Sequence, residues 1–232
     1  MKIYAIGDLH LSFGIKNKSM EIFGDAWKDH EERVKAHWIN LIKPEDLILI
    51  PGDISWAMKL EEALVDLAWI DELPGTKVLI RGNHDYWWPS LKKLHSLSFK
   101  SLHFIHNNAL TFGDVTIGGT RLWDSDEYHF YKVADVKHHY EKELIRLEDS
   151  LKQVDKQAPI KLAMTHYPPI GADLSPSKAS TLFEKYGVQQ VVFGHLHGIP
   201  EGSLPFGEAR GVHYHLTSCD VLKCTPFLLK EL

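Results

Sequence analysis

The chain has 232 residues, 44% hydrophobic and 25% charged, which excludes a disordered or low-complexity protein and leaves room for one domain with a sizeable core. Its net charge of −5, from 31 acidic against 26 basic residues, argues against the strongly basic surface of a stable nucleic-acid binder. Two cysteines, Cys219 and Cys224, exclude a disulfide framework and fall short of a structural zinc site, so they read as ordinary thiols in a reducing, cytoplasmic setting.

A strand opens the chain at Lys2–Ile6, without the pattern of a signal peptide. Helical spacing of Trp27, Val34, Trp38, Leu41 and Ile42 predicts a helix over 26–43, ended by Pro44. A strand at Leu47–Ile50 precedes a helix over 59–71, with Leu60, Leu64, Leu67 and Ile70 on one stripe. A strand at Lys77–Ile80 and a short helix over 89–95 follow. Asn107-Asn108 and Gly113-Asp114 break residues 101–119 into what reads as β-hairpins. The longest helical pattern covers 132–154, through Leu144, Leu147, Leu151 and Val154. A strand at Lys161–Met164, a helix over 176–186, a strand at Gln190–Phe193, and strands and turns over 203–229 complete the chain. No run reaches membrane-spanning length, so no membrane partner is expected. Strands alternate with helices and then hairpins intrude, which implies an α/β fold of two sheets face to face with helices outside each, in a single domain over residues 1–232.

Five of the runs end on a polar motif: Gly7-Asp8-Leu9-His10, Gly52-Asp53, Gly82-Asn83-His84-Asp85, Thr165-His166 and Gly194-His195-Leu196-His197. Asp, Asn and His are out of place for packing after a buried strand; they suit the sheet rim, where α/β proteins put ligands. Asp8 and His10, taken as i and i+2 on a strand end, point to one side and reach one ion, and His195 and His197 repeat the spacing. Asp53, Asn83 and His166 bring the candidate ligands to seven. A tetrahedral zinc needs four, whereas seven with a shared carboxylate fit two ions of higher coordination number. Nitrogen and oxygen donors without sulfur favour Mn, Fe, Zn, Co or Ni, and so many imidazoles disfavour Mg or Ca. Two divalent ions against Asp8, Asp53 and one bridging hydroxide leave about one positive charge, which attracts a phosphate ester. His84 is left over as a general acid for the leaving alkoxide, with Asp85 expected to fix its tautomer.

In this order, D-x-H, G-D, G-N-H-D, H and G-H-x-H resemble the calcineurin-like metallophosphoesterase superfamily over positions 8 to 197. The resemblance implies a four-layer α/β/β/α sandwich of two mixed sheets with a bimetal centre at the strand ends. Matched position by position, it implies one metal on Asp8, His10, Asp53 and His197, a second on Asp53, Asn83, His166 and His195 with Asp53 bridging, and His84 as the catalytic histidine. Ser/Thr protein phosphatases of the superfamily extend the second motif with Asp-Arg-Gly and end the third in Glu; here Gly52–Ala57 holds no arginine and Asp85 ends the third. Those departures lean toward phosphodiesterase-like and uncharacterised bacterial-type branches, and His84 itself argues against the lipid-A pathway pyrophosphatases, which carry Arg there. The expected activity is in-line attack by a metal-bridging hydroxide on a phosphodiester or small phosphorylated substrate, with a nucleotide among the candidates. The alternatives are a Ser/Thr protein phosphatase and a non-catalytic binding scaffold; no ligand is substituted, which favours an enzyme.

Residues 119–131 pack an arginine, four aromatics and a histidine between hairpins and a long helix. They read either as core filling with a surface loop or as a substrate wall, in which Arg121 grips phosphate while Trp123, Tyr128 or Tyr131 stacks on a base. Tyr86-Trp87-Trp88 reads as packing, and Lys16 and Lys18 as a solvated loop rather than substrate contacts. His103, His106, His138, His139, His213 and His215 read as ordinary hydrogen-bonded or exposed histidines.

Overall fold

In a computed structural model, which describes residues 1–128, 136–200, 203 and 206–232, the strand runs pair into two mixed sheets. The first has the order β11-β1-β2-β3-β4, from β1 (Lys2–Ala5), β2 (Leu47–Ile50), β3 (Thr76–Leu79), β4 (Leu102–Phe104) and β11 (Phe227–Glu231). Its members run parallel except β11, which is antiparallel to β1. The second has the order β5-β6-β7-β8-β10-β9, from β5 (Ala109–Phe112), β6 (Val115–Thr120), β7 (Ile160–Thr165), β8 (Gln190–Phe193), β9 (Glu208–Ala209) and β10 (Val212–Leu216). Here β6, β7, β8 and β10 are parallel, and β5 and β9 are antiparallel edges.

Strand alternation assigns each apolar residue to a layer. Ile3, Ala5, Leu47, Leu49 and Val78 face Ile117, Leu162, Met164 and Val192 across the gap between the sheets. On the outer face of the first sheet, Tyr4, Ile6, Ile48 and Ile50 meet Val34 and Trp38 of α1 (His30–Leu41) and Leu67 and Ile70 of α2 (Leu60–Glu72). A short α3 (Leu91–His95) packs beside β4. On the outer face of the second sheet, Ala163, Val191 and Phe193 meet Tyr140, Leu147 and Leu151 of α4 (Val136–Leu151) and Phe183 of α5 (Lys178–Tyr186). Three apolar layers therefore separate four layers of secondary structure, the α/β/β/α sandwich that the resemblance implied. Burying one such Leu or Phe stabilises by roughly 1.5–3 kcal/mol, so the layering is strongly specified.

Two expectations need correction. Residues 101–119 hold one hairpin, turned at Gly113-Asp114, whereas the chain at Asn107-Asn108 crosses from β4 in the first sheet to β5 in the second. The helix expected from residue 26 starts at His30, because Gly24 bends the chain and Asp25–Trp27 forms a separate 3-10 turn. Residues 132–135 of the expected long helix, and Tyr131, lie outside the described residues. No helix among the described residues is long and apolar enough to cross a membrane.

Candidate metal centre

All five motifs reach the carboxyl ends of parallel strands: Asp8 and His10 after β1, Asp53 after β2, Asn83 after β3, His166 after β7, and His195 and His197 after β8. The sheets meet at this edge, where Gly7 pairs with Ser218 beyond β10. The local geometry is not a continuation of the strands. Asp8, His10, Asp53 and His195 all have left-handed backbones, with φ of 53°, 45°, 50° and 70°. Such non-glycine conformations are costly, and their clustering here marks a site held in place by its surroundings. The expected i, i+2 alternation on a strand end therefore does not describe the backbone at these residues.

The kinked loops after β1 and β2 are clamped side by side. Asp8 N donates to Gly52 O at 2.9 Å, His10 N to Asp53 O at 2.9 Å and Leu11 N to Ile54 O at 2.9 Å. Buried Asp66 of α2 accepts from Phe13 N at 2.8 Å and from the Ser55 hydroxyl, tying both loops to the helix. Buried Asp85 accepts from Ile54 N (2.9 Å), Ser55 N (3.1 Å), Gly82 N (2.7 Å) and Trp87 Nε1 (3.0 Å). This corrects its expected role: Asp85 joins the loop after β2 to the loop after β3 and does not bond the His84 imidazole. Close approach also explains two glycines. A Cβ on Gly194 would overlap the Asp8 carboxylate, and one on Gly82 would overlap that of Asp53.

The side chains converge as two groups. In one, His10 Nε2 and His197 Nε2 lie 3.3 Å apart, and His197 Nε2 is 3.6 Å from Asp8 Oδ1. In the other, Asn83 Oδ1 is 2.6 Å from His166 Nε2 and 2.9 Å from His195 Nδ1. Asp53 Oδ2 stands between them, 3.7 Å from His10 Nε2 and 3.5 Å from His166 Nε2. Donor atoms of Asp8, His10 and His197, and again of Asp8, Asp53 and His166, lie within 4.8 Å of one another.

The electrostatics are those of a cluster of acceptors. Burial, the largest influence, pushes the Asp8 and Asp53 carboxyls up, and pushes His10 well down, His166 down to about 3 and His195 to about 2. Burial works against protonation of His197 as well, but its hydrogen bond to Asp220 and the charges of Asp8, Asp220 and Asp53 lift it to about 9. Oxygen and imidazole donors that crowd together at these distances, with no lysine or arginine among them, fit metal cations. Two of the rings are fixed from behind in the manner of metal-ligating histidines: His166 Nδ1 meets Pro51 O at 2.9 Å and His197 Nδ1 meets Asp220 Oδ1 at 2.9 Å.

Asp220 escaped the sequence reading, because it belongs to no motif and its partner lies 23 residues away. Arg121 is beside the centre: its carbonyl accepts from His166 N and Tyr167 N, both at 3.0 Å. Its guanidinium lies 4.5 Å over Trp123 and 3.6 Å from Glu143, a buried residue that also accepts from Thr120 and Arg146. Trp123 and Tyr128, expected as stacking residues, are both half-buried in the fold. Trp123 packs on Tyr167, whose ring is 4.1 Å from His195, and so backs the centre; the Tyr128 hydroxyl donates to Pro168 O at 2.6 Å. A cavity of about 360 Å³ opens elsewhere, on the His10–His197 side, lined by Met20, Phe23, Trp27, Trp56, His84 and His197. His84 stands at its edge, its backbone N–H on Asp53 Oδ1 at 2.8 Å and its ring 4.5 Å from Trp56.

A family model of calcineurin-like phosphoesterases matches residues 1–198, which include every motif residue. The chain belongs to the calcineurin-like phosphoesterase family. This is a family of metal-dependent phosphoesterases, and the donor cluster is what such a chain requires. The Gene 66 protein of Mycobacterium phage L5 is 33% identical over 92 residues, covering 39% of this chain and only 42% of that protein. The phosphopantetheinyl hydrolase of Mycobacterium tuberculosis superposes with a TM-score of 0.58 at 15% identity, over 94% of this chain and 88% of that one. The calcineurin-like phosphoesterase YfkN of Bacillus subtilis does so at 0.52 and 14% identity, over 95% and 82%. At such identities the two structures speak for the shared fold alone. Asp220 lies outside the matched segment, so the family's motifs end before the clamp on His197 is complete.

Proposed function

We propose that this calcineurin-like phosphoesterase hydrolyses phosphodiesters or small phosphorylated compounds at a pair of metal ions held by Asp8, His10, Asp53, Asn83, His166, His195 and His197. The observation that carries the reading is the place of Asp53, whose Oδ2 lies 3.7 Å from a nitrogen of one donor group and 3.5 Å from a nitrogen of the other. When bound, two such ions (Mn, Fe, Zn, Co or Ni by the donor set) supply a water acidic enough to attack phosphorus near neutral pH and neutralise the phosphoryl oxygens.

The chain's own residues do the rest. His84, at the edge of the cavity, gives a proton from its imidazole to the leaving alkoxide. Arg121, preset by Trp123 and Glu143, binds the phosphoryl group as a planar donor. Asp220 and the Pro51 carbonyl keep His197 and His166 turned toward the ions. A small substrate is favoured over a phosphoprotein because Ile54–Ala57 offers no arginine; Ile54 and Ser55 bond Asp85 there and Trp56 lies against His84. The test is a metal-reconstituted screen of monoesters, diesters, cyclic nucleotides and phosphopeptides. Turnover is expected on the diesters or small esters; a fully metallated protein that cleaves only phosphopeptides, or nothing, would refute the proposal.

A further inference from the structure

The cavity beside His84 joins two members of the buried core, Met20 and Trp27, to an exposed turn that core packing does not explain. The 3-10 turn Met20–Phe23 leaves Ile22 80% and Phe23 61% exposed, two large apolar side chains on one short turn. Phe23 lines the cavity beside His84 and, with Trp56 and Lys18, a contiguous depression of about 290 Å³. The walls are flat rings. Trp56 stacks on His10 at 4.9 Å and 24°, and Trp27 stands edge-on to His10 and His197 at 5.7 and 5.4 Å. The Lys18 ammonium lies 4.6 Å over Trp56, a cation–π contact that also sets one positive charge at the rim. The indoles are engaged with His10, His197 and Lys18, and Phe23 supplies the exposed ring face of this half-open space, which suits a planar aromatic guest able to stack on it better than a flexible chain.

We propose that this aromatic cavity binds a planar base-sized ring carried by the leaving alcohol of the substrate, so that the phosphoester is a nucleotide-like one. The inference rests on the hydrolase reading and deepens it. With phosphorus at the donor cluster, the group departing on the His84 side enters the space between Phe23, Trp27 and Trp56. The rim ammonium of Lys18 offsets the negative charge that the ester brings. Phe23 is then a specificity-determining residue, exposed in the free protein because its partner is the ring of the substrate.

The experiment uses the manganese-reconstituted full chain and two esters with one phosphoryl end: the methyl phosphodiester of adenosine at O5′ and the same diester of methyl riboside, which lacks the base. Release of adenosine or methyl riboside is followed by chromatography. The adenosine ester should have a kcat/KM about tenfold or more above the riboside, the worth of one base stacked on an aromatic ring. Phe23→Ala should remove most of that advantage, lowering kcat/KM for the adenosine ester far more than for the riboside ester. Equal kcat/KM for the two esters, or a Phe23→Ala variant that slows both alike, would overturn the proposal. Ligand-observed NMR with adenosine alone separates the two readings. If neither ester turns over, the hydrolase reading falls, while saturable adenosine binding that weakens in Phe23→Ala still supports the cavity's role and its absence overturns it.

Discussion

Asp220 offers the sharpest perturbation of the metal centre, because it touches one donor group and not the other. Its Oδ1 accepts from His197 Nδ1 at 2.9 Å and its Oδ2 from Gly198 N at 2.8 Å, and its side chain is only 4% exposed. Asp220→Asn keeps the shape and one acceptor but removes the charge that makes His197 Nε2 a better donor. Loss of such a partner behind a metal-ligating histidine costs about 10–100-fold in metal affinity, or about 1.4–2.8 kcal/mol. His166 is braced independently by Pro51 O, and Asn83 Oδ1 lies against His166 and His195. The loss should therefore fall on the ion held by Asp8, His10 and His197 alone. Calorimetric titration with Mn2+ should resolve two classes of site, one weakened by that factor and one unchanged. Equal weakening of both sites, or of neither, would refute the assignment of His197 and its clamp.

His84→Ala should keep full metal occupancy and lose about 10²–10⁴-fold in turnover, checked by elemental analysis beside a diester assay. Gly194→Ala should displace the Asp8 carboxylate, which a Cβ would overlap, so bound metal should fall below two equivalents while circular dichroism stays unchanged. Arg121→Ala should lower kcat/KM for phosphoesters by about tenfold or more, the worth of a charge-assisted hydrogen bond, with metal content intact. Lys77 gives a pH test of the fold away from the centre. Its buried ammonium reaches the Leu73 carbonyl and Ser101 Oγ, and burial lowers it from 10.5 to about 8. Below pH 8 the folded and unfolded chains both carry the proton, so nothing varies. Between about 8 and 10.5 the unfolded chain binds more protons than the folded one, so stability rises with pH. Relative to Lys77→Met, the wild type should gain on the order of 3 kcal/mol across that window in urea unfolding; a flat difference would refute it.

Much of this was legible in the residues, for physical reasons that can be named. Buried parallel strands are short unbroken apolar runs, so β1, β2, β7 and β8 stand out, and polar ligands at their ends stand out by contrast. The loops were harder. No pattern rule announces that Asp8, His10, Asp53 and His195 adopt left-handed backbones, because that strain is imposed by the neighbouring loop and by Asp66 and Asp85. Asp85 looked like a partner for His84 because the two are adjacent, yet its oxygens turn to backbone N–H groups from two loops. Asp220 and Glu143 act through distant partners and have no local signature. The aromatics of residues 119–131 drew attention by density, but Trp123 packs on Tyr167, whereas Phe23 and Trp27 of the segment before α1 meet Trp56 of the loop after β2 only in the fold.

The central claim is that two cations share Asp53. Crystals soaked in Mn2+ and measured at the manganese edge test it directly. The account predicts two anomalous peaks about 3.5–4 Å apart, one among Asp8, His10 and His197 and one among Asn83, His166 and His195, with the Asp53 carboxylate touching both. A single peak, or none, with these side chains ordered around an empty second position would contradict it.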